Sequence, residues 1–274
     1  TLVTAYGQVI NPDFALPIIG HFVGYEFFAE VIGALTGIGI VTLIGIRQST
    51  RFWHKGRTSR FFGSGSWKAY FVEATILAIV FCVIALRGLE GALLGDKAKS
   101  FEFALSQPAV SAFKDMDVAT IERWIVIVAA LKIIISMTWF IVIAANLTMG
   151  VAWHRFLAPF NIFFKRNVSA TPTLGALPEM LSHGKPIDFE DPKEDDVFGI
   201  GKAADISWKG LLDMASCTEC GRCQSQCPAW HTEKPLSPKL LVMAMRDHAL
   251  AKVPSDKPIV GETISTDVLW SCTT

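Results

Sequence analysis

Three long apolar stretches dominate the first 165 residues, running over residues 16–46, 67–89 and 119–150. Each exceeds the roughly 20 residues a helix needs to cross a bilayer. Inside lipid no water satisfies exposed amides, so all three are expected to be helices. Gly33, Gly37 and Gly39 give the first a smooth face, and Gly33-x3-Gly37 is a spacing that suits close helix packing. Lys132 sits near the middle of the third stretch and Glu30 at a similar depth in the first. A charge at that depth costs roughly 2.5–3.5 kcal/mol on insertion scales, so both should face the bundle. The expected arrangement is a Glu30–Lys132 pair. The alternatives are separate contacts to other helices, or Glu26 or Glu73 as the carboxylate.

The pattern changes after residue 166. Residues 167–200 carry Pro172, Pro178, Pro186 and Pro192 and an acidic run from Asp188 to Asp196, which reads as a solvated linker. Ser207 to Met214 reads as a short helix, and Ser237-Pro238 opens another over residues 239–250, with proline in its first turn. Between them lies Cys217-Thr-Glu-Cys220-Gly-Arg-Cys223-Gln-Ser-Gln-Cys227-Pro228. This is the C-x2-C-x2-C-x3-C-P run of bacterial ferredoxins, in which three thiolates hold one cubane and the fourth ligates a second. A structural zinc site is the other reading. Zinc knuckles usually come as two C-x2-C pairs a dozen or more residues apart, unlike this run. Ser271-Cys272-Thr273 repeats Ser216-Cys217-Thr218, so Cys272 reads as the first cysteine of a second motif. With neither an initiator methionine nor a signal peptide in residues 1–11, the sequence reads as an internal portion of a longer protein.

Composition adds class and sidedness. Half the residues (51%) are hydrophobic, and 25 basic residues balance 25 acidic ones. With a mean hydropathy of +0.40, the chain is too apolar for a soluble domain. Zero net charge without a basic stripe argues against a nucleic-acid partner. Arg47, Arg51, His54, Lys55, Arg57 and Arg60 fill the first loop, with no acidic residue among them. The second loop mixes Asp96, Glu102, Asp115 and Asp117 with Lys97, Lys99 and Lys114. The positive-inside rule then puts the first loop in the cytoplasm and the second outside. The third span exits inside at Trp153-His154-Arg155, in the compartment that keeps thiolates reduced. His54, Trp153, His154 and Arg155 on that edge are candidates for a polar pocket at membrane depth, with plain interfacial anchoring as the alternative. Cys82, alone in an apolar helix, reads as packing.

The run from Ser216 to Ala229, followed by Lys234-Pro-Leu-Ser-Pro-Lys239, resembles the heterodisulfide-reductase-related iron–sulfur reductases. More narrowly, the chain is similar to the actinobacterial electron-transfer-flavoprotein dehydrogenase-like membrane proteins. Thr58-Ser-Arg-Phe-Phe-Gly63, Ala69-Tyr-Phe-Val-Glu73 and His154-Arg-Phe-Leu-Ala-Pro-Phe-Asn-Ile-Phe-Phe164 support this. The resemblance implies a mainly α fold, in which a polytopic membrane domain like the nitrate reductase gamma subunit precedes a cytoplasmic, α-helical, ferredoxin-like domain with two [4Fe–4S] clusters. The implied division is a transmembrane domain over residues 1–166, a linker over 167–200 and an incomplete iron–sulfur domain over 201–274. Cys217, Cys220 and Cys223 match the first cluster's ligands, and Cys227 and Cys272 match the second's. Relatives with the gamma-subunit fold bind b-haem through histidines, for which His154 is the last-span candidate. His21, a membrane thickness away, cannot share its iron.

The implied activity is electron transfer from reduced electron-transfer flavoprotein, through the clusters, to a membrane quinone such as menaquinone. The alternatives are reduction of a disulfide substrate, which is the parent family's chemistry, and a membrane-anchored iron–sulfur module without turnover. The expected location is the cell membrane, multi-pass, with the clusters on the cytoplasmic side.

Overall fold

The computed structural model describes residues 2–17, 20, 22–51, 55–95, 103–165, 179–251 and 258–272. The described residues are mostly helical and divide into two compact units. The first comprises Thr1–Ser49 and Trp67–Ala145, and the second Thr50–Ser66 and Asn146–Thr274. Residues 50–66 thus group with the cysteine-bearing segment, although in sequence they lie between two apolar helices.

In the first unit, α1 (Leu2–Ile10) is followed by α2 (Val23–Ser49), α3 (Ser66–Leu94), the short α4 (Gln107–Phe113) and α5 (Val118–Ala145). Helices α2, α3 and α5 are each long and apolar enough to cross a membrane. Ala5 of α1, Leu86 and Leu89 of α3, and Ile121, Ile125 and Ala129 of α5 form a buried cluster. Cys82 is buried, as a small apolar side chain would be. Glycines on α3 let α4 approach. A Cβ on Gly88 would stand 2.6 Å from that of Ala109, and one on Gly91 would stand 2.5 Å from Val110. The smooth face of α2 is only partly used. A Cβ on Gly37 would lie 3.2 Å from Val80, whereas nothing lies within 4 Å at Gly33 or Gly39.

The apolar pattern misplaced three helix ends, one being that of the second span, which runs to Leu94 rather than residue 89. The first span starts at Val23 rather than residue 16, and residues 2–10 form their own helix. The third ends at Ala145, not residue 150, because the Asn146 carbonyl leaves the helical ladder. It accepts bonds from the Met149 amide (3.0 Å) and the Trp153 indole (3.1 Å). The chain restarts as α6 (Gly150–Phe163), so His154 stands on a separate helix within the second unit.

The ionisable residues of the first unit pair differently from the expected Glu30–Lys132 couple. Arg87 of α3 reaches Glu30 (3.3 Å), Glu26 (3.5 Å) and Glu90 (3.1 Å), and its guanidinium lies 4.3 Å from the centre of the Phe103 ring. Glu30 also accepts from the Leu105 amide (3.0 Å) and the Ser106 hydroxyl. A guanidinium carries five donors in a rigid fork, so it can serve several carboxylates where an ammonium presents a single point charge. Arg47 similarly pairs with one carboxylate oxygen of Glu73 at 2.7 Å. Lys132 lines a cavity of about 670 Å³ shared with Gln8, Glu26, Arg87 and Glu90.

The second unit carries a small hairpin, β1 (Leu181–Ser182) with β2 (Lys185–Pro186), which turns through His183 and Gly184, both at positive φ. Helices α7 (Trp208–Ala215), α8 (Arg222–Gln226), α9 (Pro228–His231), α10 (Pro238–Ala249) and α11 (Thr266–Trp270) follow. The two starts read from sequence are formed as side-chain caps. Ser207 accepts from the Gly210 amide, and Ser237 accepts from the Leu240 amide.

Candidate metal centre

Helix α7 delivers the chain to the cysteine loop, and the Cys217 amide bonds back to Met214 at 3.2 Å. The loop then reverses through two left-handed residues, Glu219 (φ 60°) and Gly221 (φ 72°). Gly221 is required twice over: for its φ, and because a Cβ there would stand 2.1 Å from the Arg60 carbonyl oxygen. Helix α8 follows, carrying Cys223. Cys227 ends it and Pro228 opens α9. Gln224, facing inward, donates to the Ser59 carbonyl (3.2 Å) and accepts from the Ser237 hydroxyl (2.7 Å). One buried amide therefore ties α8 to residue 59 and to the cap of α10.

Cys217, Cys220, Cys223 and Cys227 all lie on this loop and its two short helices, Cys220 and Cys223 exposed and the other two partly buried. Cys272 follows α11 and is exposed. Burial raises the Cys217 thiol above its ordinary value, although the Glu219 amide donates to it and Arg246 lies near. Burial also opposes ionisation of Cys220. There the Arg222 amide, the Thr218 hydroxyl and the Arg222 and Arg60 guanidinia outweigh it, so this thiol falls below its usual range. Among the described residues, no three His, Cys, Asp or Glu side chains gather closely enough to hold a single metal ion. The donor chemistry nonetheless fits an iron–sulfur cluster. Soft sulfur donors share one reversing loop, amides are aimed at sulfur, and cations stand by to offset thiolate charge.

Residues outside the motif build the frame. Lys239 is 1% exposed, and its ammonium donates to the carbonyls of Arg60 (2.9 Å) and Phe62 (2.6 Å) and to the Ser64 hydroxyl (2.9 Å). Burial pushes its pKa down to about 8, against the pull of Glu219 and the nearby thiols. Arg246, equally buried, pairs with Glu219 (3.2 Å) and Asp247 (2.8 Å). These bonds outweigh its burial and raise its pKa. A Cβ on Gly150 would stand 2.2 Å from the Cys217 carbonyl oxygen, so α6 meets the loop backbone directly. Lys239 lies in the stretch that carries the family resemblance. No feature of the sequence pointed to residues 57–64 as its partners.

His154 Nδ1 lies 2.7 Å from the Ser216 carbonyl, one residue before Cys217. A carbonyl only accepts, so Nδ1 is the donor in this contact. Trp153 turns back to Asn146. His54 and His21 lie outside the described residues.

Comparison with known proteins accords with this donor set. The chain is 27% identical over 239 residues, 85% of its length, to "EtfAB:quinone oxidoreductase" of Syntrophomonas wolfei. It is 40% identical over 99 residues to "Probable iron-sulfur-binding oxidoreductase FadF" of Bacillus subtilis, covering 36% of this chain. It is 29% identical over 158 residues to "Probable membrane-anchored ferredoxin" of Chromohalobacter salexigens, covering 47% of this chain. These matches span 30%, 12% and 23% of the relatives' own lengths. No protein-family profile matches the chain, and no solved structure does. Over the matched segments the chain is similar to proteins named as a flavoprotein–quinone oxidoreductase, an iron–sulfur-binding oxidoreductase and a membrane-anchored ferredoxin.

Proposed function

We propose that this protein is a membrane-bound iron–sulfur oxidoreductase that passes electrons from reduced electron-transfer flavoprotein to a membrane quinone such as menaquinone. The observation that carries this reading is a four-cysteine ferredoxin loop in a chain with three bilayer-length helices. The relative matched over 85% of the chain, by its name, joins flavoprotein to quinone. Cys217, Cys220 and Cys223 would hold one [4Fe–4S] cluster, and Cys227 with Cys272 would hold part of a second. When bound, such clusters supply one-electron transfer.

The chain's own residues supply the setting. Glu219 and Gly221 turn the loop, and the amides of Glu219 and Arg222 donate to sulfur, which favours the thiolate form. Lys239, Arg246 and Gln224 lock the loop against residues 59–64 and α10. His154, its ring held through Nδ1 on the Ser216 carbonyl, is the candidate for a quinone or haem contact, and His54 is the second quinone candidate by sequence alone. The positive-inside rule puts this apparatus on the cytoplasmic face.

A second reading, a membrane-anchored electron carrier without quinone chemistry, is favoured by the relative named "Probable membrane-anchored ferredoxin". Anaerobic stopped-flow on the full-length protein in membranes separates the two. Flavoprotein-driven bleaching of the clusters followed by reoxidation on adding menaquinone is the expected result. Bleaching without reoxidation would favour the carrier.

A further inference from the structure

Two cations are fully buried beside the cysteine loop, and they differ in how their charge is met. Arg246 touches two carboxylates, Glu219 and Asp247. The ammonium of Lys239 instead places its hydrogen bonds on neutral oxygens, the carbonyls of Arg60 and Phe62 and the hydroxyl of Ser64. The Lys239 charge is therefore fixed in place, yet not cancelled by a contacting anion. Within electrostatic range of Lys239 lie Glu219, whose carboxylate is paired with Arg246, and Cys223, Cys217 and Cys220, the three thiols of one cluster motif. A hydrogen-bonding clamp alone does not require a charge at this position, because a neutral amide also donates to carbonyls.

We propose that Lys239 sets the reduction potential of the cluster bound by Cys217, Cys220 and Cys223, holding it higher than the thiolate loop alone would allow. This inference rests on the iron–sulfur reading above. One-electron reduction adds one negative charge to a site that thiolates have already made negative, the electron coming from the flavoprotein donor. A buried positive charge favours that added charge, the more strongly because little water screens it. Lys239 is 1% exposed, so it acts by positioning charge rather than by contact with a partner in solution. Its place is fixed by the first turn of α10, by the Ser237 cap and by the three oxygens of residues 60–64.

The test is a redox titration of the full-length, anaerobically prepared protein, followed by paramagnetic resonance, with iron content measured in parallel. Lys239→Arg should keep the potential near that of the wild type. Lys239→Gln, which keeps donors and loses charge, should shift it to lower values. Ser64→Asp approaches the problem from the other partner, setting a carboxylate against Lys239 while both carbonyl bonds remain, and Ser64→Asn is its neutral control. Ser64→Asp should lower the potential relative to Ser64→Asn, even if Lys239→Gln fails to load iron. Equal potentials in Ser64→Asp and Ser64→Asn, or in loaded Lys239→Gln and wild type, would overturn the proposal. A wild-type protein without iron would instead refute the iron–sulfur reading beneath it.

Discussion

The guanidinium of Arg57 lies 3.6 Å from the centre of the Trp230 ring, and each side chain also donates to the other residue's backbone carbonyl. Arg57 Nη2 donates to the carbonyls of Trp230 (3.1 Å) and Lys234 (2.8 Å), while the Trp230 indole donates to the Arg57 carbonyl (3.0 Å). Trp230 follows the last cysteine of the motif by three positions and is buried. The basic loop residue thus closes over the cysteine-bearing segment.

Arg57→Ala should therefore destabilise the second unit by about 2–4 kcal/mol, the combined scale of a desolvated cation–π contact and charged hydrogen bonds. Arg57→Lys should recover only part of this, because an ammonium cannot stack flat and fork to two carbonyls. Thermal unfolding monitored by Trp fluorescence checks both. Equal stability of the Lys variant and wild type would show that charge alone suffices.

Arg87 joins Glu26, Glu30 and Glu90 in a segment built to cross lipid. Arg87→Met should cost about 3–5 kcal/mol, because it strands buried carboxylates. Adding Glu30→Gln should recover part of that loss. The readout is thermal stability in detergent across the double-mutant cycle. Strictly additive losses would mean that the two side chains do not interact.

How much of this was legible in the sequence depends on the range of the contact. Ser207 and Ser237 announced their helices because a cap acts on amides only a few residues away. The three long apolar helices showed because their hydrophobic runs are continuous in sequence. The break at Asn146 was hidden, since Leu147, Met149 and Val151 continue the apolar run and the bonds that end the helix come from Trp153 and Met149. The partner of Glu30 was misread for a related reason. Depth along a span says which charges lie level, but not that Arg87, nearer the end of its helix, reaches across to three carboxylates. The cysteine motif was plain from spacing, whereas its frame of Arg57, Ser64, Gly150 and Lys239 joins segments far apart in the chain.

Gly150 and Gly221 give a steric test of that frame. A Cβ at either position would meet backbone, the Cys217 carbonyl oxygen at 2.2 Å and the Arg60 carbonyl oxygen at 2.1 Å. Backbone cannot swing aside as a side-chain tip does. Gly150→Ala and Gly221→Ala should each lower bound iron several-fold, and Gly33→Ala, which faces open space, should not. Iron analysis of protein purified in parallel decides this.

Asp117 governs the start of α5. It accepts from the Thr120 hydroxyl (2.7 Å) and the Thr120 amide (3.0 Å), and these bonds hold its carboxyl below the ordinary 3.8. A carboxyl with a lowered folded-state pKa contributes stability above its unfolded value and loses it as pH falls through the folded one. Amide exchange at Thr120 and Ile121 should therefore accelerate, relative to an unprotected peptide, only when the pH drops below the ordinary carboxylate range. Asp117→Asn should abolish that acid-dependent step, and an unchanged step would assign it to another group.

The account turns on what the four cysteines of the loop hold. The most direct measurement is metal and sulfide analysis, with paramagnetic resonance, of the full-length protein prepared anaerobically in membranes. The predicted result is iron with acid-labile sulfide, and cubane signals that appear on reduction by electron-transfer flavoprotein. In Cys227→Ser one of the two signals should be lost while that of Cys217, Cys220 and Cys223 persists. Zinc without iron, or an iron-loaded protein that reduced flavoprotein leaves unchanged, would contradict it.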